Sequence, residues 1–155
     1  MIKIAHRGNT NGPVPEKENS PDYIMAALDK GYDCEIDLWR LEKKFFLGHD
    51  GPQYNIGEKF LFDLSSKLWV HCKNLEALQF VAETKGSLHG FWHQEDNYTF
   101  TTNGYIWTYP NHPTTSLSIL VHLDKWTETI IQQQMAGICS DFMTASIDGN
   151  ISFTF

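Results

Sequence analysis

The chain has 155 residues and a mass of 17.8 kDa, with 41% hydrophobic and 20% charged residues. That suits one compact domain over residues 1–155 and excludes a wholly disordered chain. The formal net charge of −7, from 12 Lys and Arg against 19 Asp and Glu, argues against nucleic-acid binding and against polybasic docking on an anionic membrane.

In chain order, residues 2–5 (IKIA) read as a short strand that runs into His6-Arg7-Gly8, followed by a Gly-, Pro- and Asn-rich loop, NTNGPVPEKEN. Ser20-Pro21 starts a helix, with Ser as the N-cap and Pro at the first helical position. Ile24, Ala27 and Leu28 give it an apolar face, and Gly31 closes it. Residues 33–38 (DCEIDL) form the next strand. Alternation puts Glu35 and Asp37 on one face and Cys34, Ile36 and Leu38 on the other. Residues 45–48 (FFLG) lie too close behind it for a parallel crossover, so they read as a hairpin arm ending at His49-Asp50-Gly51.

Helices are expected at 58–66 and 75–84, with the strand LWVHC (68–72) between them. Further strands are expected at 88–92, 104–108, 117–122 and 137–140, a helix over 125–135, and a last short strand at 151–155. Strands alternating with helices indicate an α/β fold with a largely parallel sheet. The segment between 88–92 and 104–108 has little room for a helix and includes the turn-prone DNYTFTTNG. Any barrel is therefore trimmed, because a full (β/α)8 barrel takes about 250 residues.

No stretch reaches the ~18 apolar residues of a membrane span. MIKIAHRGNT lacks the apolar run of a signal peptide. Cys34, Cys72 and Cys139 are odd in number and form no CxxC pair, so they read as reduced, buried thiols of a cytoplasmic protein. Trp39 and Trp69 read as core residues, and Trp107, Tyr109 and His93 as candidates for a pocket wall.

The chemistry concentrates in the first 50 residues. His6-Arg7, Glu35 with Asp37, and His49-Asp50 all sit at strand ends, and Glu18-Asn19 lies in the loop after the first strand. Ligands of α/β folds bind at the C-terminal ends of parallel strands. Carboxylates there suit a hard divalent cation, Arg suits phosphate, and a pair of His can divide base and acid roles. Both arginines, Arg7 and Arg40, precede residue 86, and Lys125 is the one basic residue after it, so an anionic substrate belongs to the N-terminal half.

The order AHRG, EN, E-I-D and LGHD resembles the glycerophosphodiester phosphodiesterase family, and looser likenesses follow at HCKN (71–74), GYIWTYPN (104–111) and GICSDF (137–142). The resemblance implies a compact, trimmed TIM-like (β/α) barrel with reduced helices in the second half. It implies hydrolysis of a small-molecule phosphodiester with a divalent cation, Mg²⁺ or Ca²⁺, with Mn²⁺ as a further option. In that family a neighbouring substrate hydroxyl attacks first, and water then opens the cyclic phosphate. Carried over, His6 and His49 are the acid/base pair, Arg7 and Lys73 contact the phosphate, Glu35 and Asp37 are metal ligands, and Glu18 is a ligand or its neighbour.

Two departures qualify this. The chain has no room for the insertion that shapes the glycerophosphodiester pocket in many relatives. The family's E-x-K reads His71-Cys72-Lys73 here. His71 either binds the cation directly or stands behind it with water in the vacant position, and the second arrangement is the one expected. The alternative function is a non-catalytic phosphate or sugar-phosphate binding module on a degenerate barrel; a third is an acidic interaction domain.

Overall fold

A computed structural model describes residues 1–146; the strand expected at 151–155 lies outside the described residues. The elements are β1 (Ile2–His6), α1 (Pro21–Asp29), β2 (Asp33–Leu41), β3 (Lys44–Leu47), β4 (Tyr54–Ile56), α2 (Glu58–Asp63), β5 (Leu68–Cys72), α3 (Leu75–Glu83), β6 (Gly90–Phe91), β7 (Tyr98–Phe100), β8 (Ile106–Thr108), β9 (Ser118–Val121), α4 (Glu128–Ile131) and β10 (Gly137–Ser140).

All the strands belong to one mixed sheet. β4-β3-β2-β1-β10-β9-β8-β7 are neighbours in that order, and β2 also pairs with β5, which pairs with β6. β6, β5, β2, β1, β10, β9 and β8 run parallel, while β3, β4 and β7 add antiparallel arms. The result is a curled half-barrel, which corrects the expected TIM-like (β/α) barrel. Chain length between strands explains the difference. Residues 92–97 lead from β6 into an antiparallel arm, β7, and residues 109–117 join β8 to β9 without a helix. A helical crossover needs a dozen residues or more. Where there was room, between β9 and β10, α4 buries none of its residues and stays one turn long, in place of the helix expected over 125–135.

The first half follows its local signals. Ser20 Oγ accepts from the Tyr23 N–H, Pro21 opens α1, and Gly31 follows it with a positive φ of 89°. β2 and β3 form the anticipated hairpin. Its turn residues Glu42 and Lys43 both have positive φ, the geometry that matches strand twist. β4 and β7 were not foreseen; β7 falls inside the segment read as a turn.

Two apolar cores lie on the two faces of the sheet. On the convex face Cys34, Ile36, Leu38, Val70 and Cys72 meet Ile24 and Ala27 of α1 and Ala77 and Phe80 of α3. On the concave face Ile4, Trp69, Phe91, Trp107, Ile119 and Val121 form a smaller core. These large side chains fill the hollow from below. The functional residues stand above them, at the C-terminal end of the parallel strands.

Candidate active site

Strand register brings the charged residues together. His6 on β1 is the parallel partner of Glu35 on β2, and Asp37 on β2 is the partner of His71 on β5. Partners in register project to the same face, so four titratable groups converge on the concave side. His6, Glu35 and His71 open on a cavity of about 320 Å³, while Asp37 is fully buried and does not line it. One wall carries His6, Arg7, Glu35, His49, His71 and Lys73. The other carries His93, Gln94, Trp107, Tyr109, Val121 and Leu123.

Glu35, Asp37 and His71 each offer a ligand atom, and these atoms lie within 4.8 Å of one another. His71 Nδ1 is 3.2 Å from Asp37 Oδ1 and 3.7 Å from Glu35 Oε1. On the far side of the ring, Nε2 lies 2.8 Å from the His93 carbonyl. A carbonyl only accepts, so Nε2 carries a proton, and a bare Nδ1 would turn its lone pair toward two carboxylates. That arrangement is repulsive unless a cation or a second proton sits between them. Asp37 Oδ1 is buried without a well-aligned hydrogen-bond partner, although Lys73 Nζ stands 3.7 Å away. Glu18, Glu35, Asp37 and Asp141 face two permanent cations, Arg7 and Lys73. The donor set and the charge deficit both fit a divalent cation, and the carbonyl behind His71 is the usual support for a metal-binding imidazole.

The titrations follow from the surroundings. Burial, reinforced by the Asp37 charge, raises Glu35 above the usual carboxylate range. Burial pushes Asp37 the same way, but His71, Arg7 and Asn19 outweigh it and hold Asp37 well below that range. Asn19 clamps Asp37 twice: its Nδ2 donates to Oδ2 at 2.8 Å, and its Oδ1 accepts from the Asp37 N–H at 2.9 Å.

His6 and His49 stand differently. Asp141 Oδ1 is 2.8 Å from His6 Nδ1, and Asn9 Nδ2 donates to the same carboxylate oxygen at 2.8 Å. Asp141 therefore fixes the Nδ1–H tautomer and leaves Nε2 facing the cavity, 4.0 Å from Glu35 Oε2. Burial depresses the His6 pKa, but the Asp141 hydrogen bond and the Glu35 charge more than offset this, so it is raised. His49 is half-exposed, with Nδ1 2.7 Å from Asp50 Oδ1. Its turn depends on Gly48, at φ 153°, where a Cβ would meet Gly51 O at 2.1 Å. Trp39 is half-buried rather than in the core, and its indole N–H donates to Gly48 O at 2.6 Å, tying the His49 turn to β2. Trp69 is buried as expected.

The remaining candidates fall around this centre. Arg7 has a positive φ of 54°, a strained conformation for a side-chain-bearing residue. Its N–H donates to Glu35 O, its Nη1 to Glu18 Oε2 at 3.2 Å, and its Nε lies 3.1 Å from Asp37 Oδ2. Glu18, named as a possible ligand, stands outside the Glu35–Asp37–His71 cluster; it holds Arg7 and accepts from Asn9 at 2.8 Å. Lys73 lines the cavity. All three cysteines are free and buried, and Cys72 points away from the site. Sequence reasoning gave no role to Asp141 or Asn9. The available signal was position: Asp141 follows β10 as His6 ends β1.

Compared with family models, curated proteins and solved structures, the chain matches none. Among the described residues, no helix is long and apolar enough to cross a membrane.

Proposed function

We propose that the chain is a cation-dependent phosphodiesterase, as its resemblance to the glycerophosphodiester phosphodiesterase family implies. The observation that carries this reading is the convergence of Glu35, Asp37 and His71 beside His6, His49, Arg7 and Lys73 on one cavity. Glu35, Asp37 and His71 would hold the ion, Mg²⁺, Ca²⁺ or Mn²⁺, which when bound neutralises non-bridging phosphate oxygens. Arg7, braced by Glu18 and Asp37, and Lys73 balance the remaining phosphate charge.

His6 is the general base. Asp141 holds its Nδ1–H, so the free Nε2 takes the proton of the attacking hydroxyl, and the imidazolium that forms is stabilised by Asp141 and Glu35. His49, half-exposed at the cavity edge, is the acid that protonates the leaving alkoxide. The location expected is the cytoplasm, and the partner is a small phosphodiester.

The test is turnover of bis-p-nitrophenyl phosphate and of glycerophosphodiesters with Mg²⁺, Ca²⁺ or Mn²⁺, and after EDTA. Turnover that EDTA abolishes and cation restores supports the enzyme. Tight phosphate binding without turnover in any cation would replace it with the binding-module reading.

A further inference from the structure

The cavity is divided. Its charged wall comes from β1, β2, β5 and the His49 turn, while the opposite wall comes from the ends of β6, β8 and β9 and, among the described residues, carries no carboxylate, Lys or Arg. On that side, aromatic rings are already stacked. Trp107 lies against Phe91, with centroids 4.3 Å apart and planes 26° apart, and Phe91 lies against His71 at 5.1 Å and 11°. At the rim, His93 and Tyr109 stack at 5.3 Å and 20°. The rim pair is held from behind: His93 Nε2 lies 2.6 Å from the Asp96 carbonyl, and the Tyr109 N–H donates to Asn97 O at 2.9 Å. Tyr109 keeps 46% of its surface exposed, and Gln94 stands beside the pair. Val121 and Leu123 complete an apolar surface.

We infer that this wall is a ring subsite: the phosphodiester bound here carries a planar aromatic ring on the β8–β9 side of phosphorus. The inference rests on the phosphodiesterase reading and narrows its substrate class. A polyol such as glyceryl binds through several hydrogen bonds, and with His93 Nε2 already engaged by the Asp96 carbonyl this wall leaves the Gln94 amide and the Tyr109 hydroxyl. A flexible alkyl chain would bury area here but lose rotamer freedom, which a rigid ring does not have to give up. A planar ring gains stacking on Tyr109, and Gln94 is placed to meet polar atoms at its edge.

The test uses three non-hydrolysable probes, methylphosphonate, phenylphosphonate and cyclohexylphosphonate, titrated calorimetrically into the protein with saturating Mn²⁺. All three present the same anion, and the last two differ in planarity rather than size. Phenylphosphonate should bind at least about 5-fold tighter than cyclohexylphosphonate, the lower end of ring stacking on an aromatic side chain. Tyr109→Phe should keep that preference. Tyr109→Ala should bring the two toward parity while leaving methylphosphonate unchanged, which also shows that the variant is folded. Equal binding of phenyl and cyclohexyl probes to the parent would overturn the ring subsite and leave the phosphate reading standing. Failure of all three probes to bind would overturn the phosphate reading, and the subsite with it.

Discussion

Replacing His71 with Glu tests the centre of the site. In the parent, Nδ1 stands 3.2 Å from one carboxylate oxygen and 3.7 Å from another. A third carboxylate at that place would repel each of them by roughly 4–5 kcal/mol at about 3.5 Å, taking an effective dielectric of about 20. Without cation, the His71→Glu protein should be less stable than the parent or take up a proton to relieve the charge. With cation the order should invert. An ion at 100 times its Kd adds about 2.7 kcal/mol to any state that binds it, which for a chain of this size is a Tm rise of roughly 5–11 °C. The parent should reach that rise more readily with Mn²⁺ than with Ca²⁺, because one donor is nitrogen. The His71→Glu variant should start lower, rise further and favour Mg²⁺ or Ca²⁺. The assay is thermal unfolding across a titration of each ion, with Kd from calorimetry. Flat Tm in both proteins for all three ions at millimolar concentration would refute the cation site. Weaker Mg²⁺ binding by the Glu variant would show either that His71 is not at the ion or that the site is built differently from the family's.

His6→Ala and His49→Ala should each lower kcat by roughly 10²–10⁴ with little change in Tm, measured on the best diester found; wild-type rates would remove them from the mechanism. Asp141→Asn should cost a similar factor and shift the acid limb of the pH–rate profile to lower pH, because the His6 pKa is held up in part by Asp141. Gly48→Ala should lower kcat more than it weakens Mn²⁺ binding, since its Cβ would collide with the turn that carries His49 and reaches Asp37 only through the Gly48 N–H bond to its backbone carbonyl, at 3.1 Å; Mn²⁺ affinity falling as far as kcat would refute this. Buried Cys72 is pushed up to about 12. Its contribution to stability is present in full below its unfolded pKa of roughly 8.5 and is lost as pH rises toward the folded value, at about 1.4 kcal/mol per pH unit. Urea unfolding above about pH 9 should show that slope reduced in Cys72→Ala; an unchanged slope would refute it.

How far the sequence could be read depended on the range of the forces involved. Period-two alternation on residues 33–38 is local, so the shared face of Glu35 and Asp37 was legible, as was the cap of α1 at Ser20-Pro21. The short separation of 38 from 45 forces a hairpin, and β2–β3 is one. β7 was missed because Tyr98-Thr99-Phe100 is flanked by Asn and Gly, and only its pairing with β8 makes it a strand. The trimmed TIM-like barrel gives way to a curled half-barrel because the connections are too short for helical crossovers. Trp39 reads as a core residue in the sequence, whereas its partner, Gly48 O, is set by the hairpin register.

The two halves of the chain divide the labour of the cavity, and the charge distribution explains why. The long β2 touches β1, β5 and β3, so one strand can gather His6, His71, Lys73 and the His49 turn around Glu35 and Asp37. Such a concentration of buried charge is tolerable only if each group is braced: Asn19 holds Asp37, Glu18 holds Arg7, Asp141 holds His6 and the His93 carbonyl holds His71. The second half has α4 alone among the described residues, a single turn that buries none of its side chains, and large rings fill its hollow, Phe91 and Trp107 beneath and Tyr109 at the rim. The His93 loop joins the two functions, since its carbonyl orients His71 and its ring extends the stack to Tyr109. Occupation of the aromatic wall is thereby coupled to the imidazole facing Asp37: a ring probe that seats on Tyr109 should tighten Mn²⁺ binding, and by linkage Mn²⁺ should tighten the ring probe by the same factor. Calorimetric titration of each in the presence and absence of the other measures that shared factor, and a factor no larger for phenylphosphonate than for methylphosphonate would separate the two walls.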